Sequence, residues 1–140
     1  MANIDSIEGV GEAYAQKLNG AGISTTEALL EKGATPKGRQ GIADQTGISN
    51  NLILRWVNHA DLFRLKGVGA EFAELLEASG VDTVPELAQR NAANLCQKMA
   101  DINAVKKLTR KVPTESQVTA WITEAKSLPK LVTYGTAAAG

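Results

Sequence analysis

The sequence contains few of the residues from which catalytic or metal centres are built. Cys96 is the only cysteine and His59 the only histidine among 140 residues. One thiol excludes a disulfide framework, and one histidine without a cluster of thiols or carboxylates argues against a metal or catalytic role. The chain also has no nucleophile–base pair and no Gly-rich phosphate loop of the Lys-Ser/Thr type. We therefore expect no enzyme, no catalytic residue, no metal and no cofactor.

An excess of positive charge is also missing. Fifteen Lys and Arg residues balance fifteen Asp and Glu residues, whereas a dedicated nucleic-acid-binding protein usually has a basic excess, because phosphate neutralisation supplies most of its affinity. The charge is mildly uneven, with five basic and seven acidic residues in 1–61 and ten and eight in 62–140. A polyanion would therefore prefer the second half.

Long apolar runs and aromatic clusters are scarce. No uninterrupted apolar run approaches the ~20 residues that span a bilayer, and nothing before Ile4 resembles a secretion signal. Aromatic residues make up 4% of the chain, and most fall on apolar helical stripes, which leaves no platform for stacking single-stranded nucleic acid. We expect a soluble cytoplasmic protein with no membrane partner.

A pattern that occurs twice organises the rest of the sequence. It covers residues 7–23 and returns 58 positions later over residues 65–81. Each copy has an apolar residue before Gly-Val-Gly, then an aromatic residue and Ala, then Leu, then Gly before a β-branched residue. Paired glycines permit a turn with positive φ, and the first N–H groups of the following helix have no intrahelical partner. The pattern predicts two helical hairpins.

Capping boxes at Ser24-Thr25-Thr26-Glu27 and Thr114-Glu115-Ser116-Gln117, and Pro in a first-turn position at Thr35-Pro36, predict the starts of further helices. No stretch alternates with period two. We therefore predict an all-α fold of about nine short helices in two tandem helix-hairpin-helix repeats. The repeats would cover residues 1–62 and 63–128, with an irregular tail at 129–140. The second repeat carries an insertion of seven residues, which is interpreted as two helices, Ala92–Ala100 and Asn103–Lys111.

Each repeat also contains one helix with a tryptophan. In the first of these, an apolar stripe around Trp56 leaves polar residues such as His59 on the opposite face. The first hairpin lacks a leading helix, and the Trp121 helix has no hairpin after it. We therefore expect the Trp121 helix to return to the first repeat, near Tyr14, and to close a compact pseudo-twofold domain. Docking on another molecule is the alternative.

The segment Gly67-Val68-Gly69, followed by Ala73 and Leu76, resembles the helix-hairpin-helix motif of the DNA polymerase beta N-terminal and RNA polymerase alpha C-terminal type. The tandem arrangement resembles a bacterial family of paired motifs, domain of unknown function 4332, over nearly the whole chain to about Leu128. The resemblance implies a binding module. Such motifs often bind nucleic acid backbones without sequence preference, many mediate protein contacts, and some hold a monovalent cation on backbone carbonyls.

Three segments are candidates for contact with double-stranded DNA. In the second hairpin, basic side chains precede N–H groups that can capture a phosphate. A second group of basic residues should occupy one arc of roughly 140° on an amphipathic helix, opposite Val105, although a merely solvated face is the alternative. The first hairpin is weaker, because Glu8 and Glu12 repel phosphate. The candidates are Arg64, Lys66, Gly67, Val68, Gly69 and Ala70, then Lys106, Lys107, Arg110 and Lys111, then Gly9, Val10 and Gly11.

Two functions are therefore open. The first is weak, sequence-independent binding of double-stranded DNA through the second hairpin and the Lys106–Lys111 group. The second is a protein-interaction adaptor or self-associating scaffold, which the zero net charge and the acidic first hairpin favour.

Overall fold

The computed structural model describes residues 3–134, and their regular structure is helical, so the all-α prediction is confirmed. Within this range the only extended pairing is an isolated antiparallel bridge between Asn3 and Thr25. The predicted tail after Tyr134 lies outside the described residues. The elements are a 3-10 helix at Ile4–Ser6, α1 Glu12–Gly20, α2 Thr26–Gly33, α3 Pro36–Thr46, α4 Asn50–Leu62, α5 Ala70–Ala78, α6 Val84–Ala88, α7 Ala92–Lys106 and α8 Glu115–Ser127.

The chain divides into two compact units. Among the described residues, the first unit comprises residues 3–61 together with 131–134, and the second unit is Leu62–Lys130. Each unit has its own buried apolar side chains. In the first they include Ile7, Leu18, Ile23, Leu29, Ile53 and Trp56. In the second they form one cluster that includes Leu65, Leu75, Leu76, Leu87, Leu95, Met99 and Trp121.

Side-chain caps fix where several helices begin. Thr35 accepts a hydrogen bond from the Gly38 N–H at 3.0 Å, and Pro36 occupies the first turn of α3, as the sequence predicts. Thr114 and Gln117 form the predicted capping box at the start of α8. The capping box predicted from Ser24 has the wrong N-cap by one residue. Thr25 is the N-cap of α2, and it accepts a hydrogen bond from the Ala28 N–H.

The insertion does not form two helices, and that prediction is wrong. Residues 92–106 make the single helix α7, which ends where Lys107 adopts φ 52°. A basic arc on a helix over residues 106–111 therefore does not exist. Val105, which was expected on its inner face, is 81% exposed.

Helix α4 is more buried than its apolar stripe predicts. Asn58, His59 and Asp61 were expected to face solvent, but their exposed fractions are 8%, 0% and 0%. Asn58 accepts a hydrogen bond from the Tyr134 hydroxyl at 3.0 Å. A polar residue on this helix is therefore buried because a segment distant in sequence covers it.

The return of the Trp121 helix to the first repeat is also contradicted. The indole of Trp121 lies 5.3 Å from the ring of Phe72, centroid to centroid, within the second unit. Trp56 packs in the same way on Tyr14 in the first unit, at 5.0 Å. Each tryptophan helix therefore packs on the helix that follows the glycine turn of its own unit.

The segment Leu131–Tyr134 completes the first unit through the buried side chain of Arg39. Its guanidinium donates to the Gly33, Ala34 and Thr133 carbonyls at 2.8, 3.2 and 2.6 Å. Tyr134 covers the same guanidinium, with its ring centroid 5.9 Å away. Burial lowers the pKa of Arg39 from its ordinary value, while Tyr134 acts in the opposite direction. An arginine side chain stays protonated in proteins. The Arg39 guanidinium therefore links the segment Leu131–Tyr134 to α2 and α3 through charge-assisted hydrogen bonds.

Replacing Arg39 by methionine should destabilise the first unit, because the substitution keeps an apolar stem but removes the donor of the buried bond to the Gly33 carbonyl and the bond that holds the Thr133 carbonyl. The expected loss is about 1–3 kcal/mol in the free energy of unfolding, measured by urea denaturation followed through tryptophan fluorescence. Lys37→Met, an exposed position on the same helix, is the control and should change stability by less than about 0.5 kcal/mol. Equal effects of the two substitutions would contradict the assigned role of Arg39.

Candidate nucleic-acid interface

The two Gly-Val-Gly segments form turns of the same geometry. The Val10 N–H donates to the Ile7 carbonyl at 3.1 Å, and the Val68 N–H donates to the Leu65 carbonyl at 3.2 Å. Gly9 and Gly67 have φ values of 95° and 88°. A positive φ at the third residue is what a type II turn requires, so glycine is needed at these two positions.

The second glycine of each pair has a different role, which corrects the expectation that both glycines supply positive φ. Gly11 and Gly69 have extended φ values of −84° and −109° and are the N-caps of α1 and α5. Neither helix start has a side-chain cap, which leaves N–H groups of the first turn available to a ligand. A Cβ on either glycine would meet no atom within 4 Å.

A tryptophan indole lies against each turn. A Cβ built on Gly9 would lie 3.6 Å from Trp56 Nε1, and one built on Gly67 would lie 3.7 Å from Trp121 Nε1. Trp121 Nε1 donates to the Lys66 carbonyl at 3.1 Å. Trp56 Nε1 has no hydrogen-bond partner within residues 3–134. The second turn is therefore tied to its tryptophan by a bond that the first turn lacks.

The valines of both turns point inward, so they cannot contact a ligand through their side chains. Val10 and Val68 are 4% and 6% exposed, whereas Gly9, Gly11, Gly67 and Gly69 are exposed. Around the second turn, Lys66 is exposed and Arg64 is half-buried, with its guanidinium donating to the Pro129 carbonyl at 2.6 Å. Around the first turn the exposed charges are Glu8 and Glu12.

The basic residues after α7 lie in an ordered loop and not on a helix. Asn103 holds the loop with two hydrogen bonds, donating to the Thr109 carbonyl at 3.0 Å and accepting from the Thr109 N–H at 2.9 Å. The Thr109 hydroxyl donates in turn to the Lys111 carbonyl at 3.0 Å. Lys106, Lys107, Arg110 and Lys111 are all exposed around this buried threonine.

One cavity joins this loop to the helix that follows the second turn. It has a volume of about 520 Å³, and its lining includes Lys107 and Arg110 from the loop together with Glu71 from the first turn of α5. Asn103, Leu108 and Thr109 complete the lining. The cavity therefore places two of the four basic loop residues beside the first turn of α5, while Lys106, Lys111 and the candidate residues of the second hairpin, Arg64 to Ala70, do not line it.

Sequence reasoning missed Glu124, which accepts a hydrogen bond from the Lys66 N–H at 3.0 Å. The signal was available, because Glu124 follows Trp121 by three residues and so shares its helix face. His59 holds the corresponding place after Trp56 and is completely buried. A carboxylate therefore sits at the second turn, where it lowers the local positive potential.

Within residues 3–134, no helix is long and apolar enough to cross a membrane. In the same range, no group of three or more His, Cys, Asp or Glu side chains is arranged to hold a metal ion. The family described as domain of unknown function (DUF4332) matches residues 8–128. No curated protein and no solved structure matches the chain.

The same substitution at the two glycines of the second turn should have unequal effects. Gly67→Ser forces a side chain into positive φ and should lower the free energy of unfolding by about 1–3 kcal/mol. Gly69→Ser places a favoured N-cap residue on extended backbone and should leave stability within about 0.5 kcal/mol of the wild type. Thermal or urea denaturation measures both. A larger loss at Gly69 would show that the turn is wrongly described.

Proposed function

The chain belongs to the domain of unknown function 4332 family. From the geometry of the second unit we propose that it is a non-enzymatic DNA-binding module. The two turns act as helix-hairpin-helix motifs. The second binds the backbone of double-stranded DNA weakly and without sequence preference. Lys66 and the exposed N–H groups after Gly69 contact one phosphate, while Lys107 and Arg110 contact another.

The observation that carries this proposal is the shared cavity of the second unit. Glu71 belongs to the helix start that follows the turn, and it lines the same concavity as Lys107 and Arg110. A helix N-terminus with uncapped N–H groups favours an anion, and two flanking cations strengthen the attraction. The arrangement suits a phosphate backbone, which presents charges in succession along a strand.

The charge inventory explains why the binding should be weak. Each group of candidate cations has a carboxylate beside it: Glu71 lines the cavity with Lys107 and Arg110, and Glu124 accepts from the backbone N–H of Lys66. The net positive charge is therefore small, and affinity for DNA rises with the number of phosphates neutralised. In the first unit the exposed Glu8 and Glu12 flank the turn, so we assign it no DNA contact.

The proposed module is cytoplasmic and non-enzymatic. Cys96 is a free thiol whose Sγ donates to the Pro113 carbonyl at 3.6 Å, which suits the reducing conditions of the cytoplasm. The module acts by presenting a surface and carries out no reaction. The second candidate function, a protein adaptor or self-associating scaffold, is favoured by the balanced charge of the chain and by the acidic first turn.

Titration of labelled duplex DNA at low and moderate salt tests the proposal. Binding should be measurable at low salt and should weaken steeply as salt rises. Lys66→Glu with Lys107→Glu should abolish it while leaving the circular dichroism spectrum and melting temperature nearly unchanged, since exposed charges contribute little to folding. Lys17→Glu with Lys37→Glu changes net charge equally on the first unit and should retain most of the binding. No binding by the wild type at low salt would overturn the proposal.

Glu124 provides a test with the opposite sign. Glu124→Gln keeps an acceptor for the Lys66 N–H but removes the negative charge from the second turn. We expect DNA affinity to rise by roughly threefold to tenfold at low salt, which corresponds to about 0.7–1.4 kcal/mol. Glu115→Gln, an exposed position at the other end of the same helix, is the matched control. An unchanged or reduced affinity for Glu124→Gln would contradict phosphate contact at this turn.

A further inference from the structure

Three large apolar side chains are exposed among residues 3–134: Val105 at 81%, Leu131 at 40% and Tyr134 at 44%. Tyr134 is accounted for within the first unit, because its hydroxyl donates to Asn58 and its ring covers Arg39. A single exposed apolar residue is ordinary, so the surroundings of the other two decide whether they matter.

Leu131 lines a surface groove of the first unit. The groove has a volume of about 390 Å³, with an apolar floor of Leu30, Ala34 and Leu131. Glu27 and Glu31 form its rim, and both are exposed one turn apart on α2. We call these five residues the acidic groove.

The lysine on the same helix does not neutralise the groove. Lys32 directs its Nζ to the Ala21 carbonyl at 3.4 Å, and it is absent from the lining. The two glutamates therefore leave the rim negative. An occupant should combine an apolar side chain with neighbouring cations.

Val105 is followed by two lysines, whose charge is opposite to that of the groove rim. It is the penultimate residue of α7, and Lys106 and Lys107, both exposed, follow it directly. Asp101, one turn earlier, accepts a hydrogen bond from Gln97 Nε2 at 2.9 Å. Val105, Lys106 and Lys107 form what we call the basic knob.

We propose that the basic knob of one molecule binds in the acidic groove of a second copy of this chain. Val105 enters beside Leu131, while Lys106 and Lys107 pair with Glu27 and Glu31. The two surfaces match in charge and in apolar character, which favours encounter and register. This contact goes beyond the proposed DNA binding and does not depend on it, although both use Lys107.

The geometry of the contact determines the kind of assembly. Knob and groove are different surfaces, so the association is head-to-tail and leaves one of each free on every dimer. Eight side chains bury far less than the ~1,200 Å² of a stable interface. The association is therefore weak and reversible, and it responds to protein concentration and salt.

Sedimentation velocity without DNA tests this proposal separately from DNA binding. From about 10 µM to about 1 mM, the weight-average mass of the full chain should rise with concentration, as expected for a small interface. The rise should shrink in 0.5 M salt, which is roughly the range where surface charges are screened. A constant monomer mass over the whole range would overturn the proposal.

Charge-reversal variants test whether the basic knob and the acidic groove are the surfaces that associate. Lys106→Glu with Lys107→Glu, and separately Glu27→Lys with Glu31→Lys, should each remain monomeric, because knob and groove then carry the same sign. Mixing the two variants should restore association, since the unaltered knob of one meets the unaltered groove of the other. Lys17→Glu with Lys37→Glu is the control for net charge and should associate like the wild type.

Val105→Glu removes the apolar contact at a side chain that the fold leaves exposed, and it should weaken association at least tenfold. Circular dichroism and melting curves verify that each variant is folded. A mixture of the two charge variants that stays monomeric would refute the pairing of knob with groove. Association that persists in Val105→Glu would show that another surface of the second copy occupies the groove.

Discussion

The contact between a tryptophan indole and a positive-φ glycine organises each half of this protein. Gly9 and Gly67 leave no side chain between the turn and the indole, and the nitrogens of Trp56 and Trp121 approach the two turns to nearly the same distance. A fully buried indole contributes several kcal/mol to stability, roughly 3–5 kcal/mol by comparison with alanine. That energy holds a distant helix against each turn and thereby fixes the orientation of the helix start that follows it.

The two units stabilise this contact with different additional hydrogen bonds. In the second unit the indole N–H donates to the Lys66 carbonyl, and Glu124 accepts from the Lys66 N–H, so the two successive peptide groups that flank the Lys66 Cα both pair with α8. In the first unit the indole lacks such a bond within residues 3–134. There the chain adds another support, because Arg39 binds the segment that begins at Leu131.

Local patterns in the sequence predicted most of the fold. The repeat gave the two turns, Thr35-Pro36 and Thr114 gave helix starts, and the lack of period-two alternation gave the all-α class. Each depends on residues within a few positions of one another. The predictions that were wrong depend on distant contacts. The burial of Asn58 requires Tyr134, and α7 ends at Lys106 because the loop after it folds back onto Asn103.

The candidate site also combines features that local sequence patterns predict with features that depend on distant contacts. Its turn and its basic residues were evident from the sequence, but the cavity that places Lys107 and Arg110 beside Glu71 depends on how α5 and α7 pack. Trp121 was assigned to the first turn and lies on the second, because a repeat pattern shows which helices are equivalent but not which turn each one contacts. Placing Trp121 on the second turn would have brought Glu124 there too, three residues along the same face.

Zero net charge describes this chain poorly, because the charges are segregated. Positive residues collect on the loop after α7, and Glu27 and Glu31 collect on the rim of the groove beside Leu131. Exposed charges farther apart than about 10 Å act independently at 0.1 M salt, so a neutral total does not prevent a cationic surface from attracting an anion. The same segregation makes the acidic groove and the basic knob opposite in charge. A second copy bound through Lys107 would compete with DNA for that residue, so the proposed assembly and the proposed DNA binding would oppose each other by mass action.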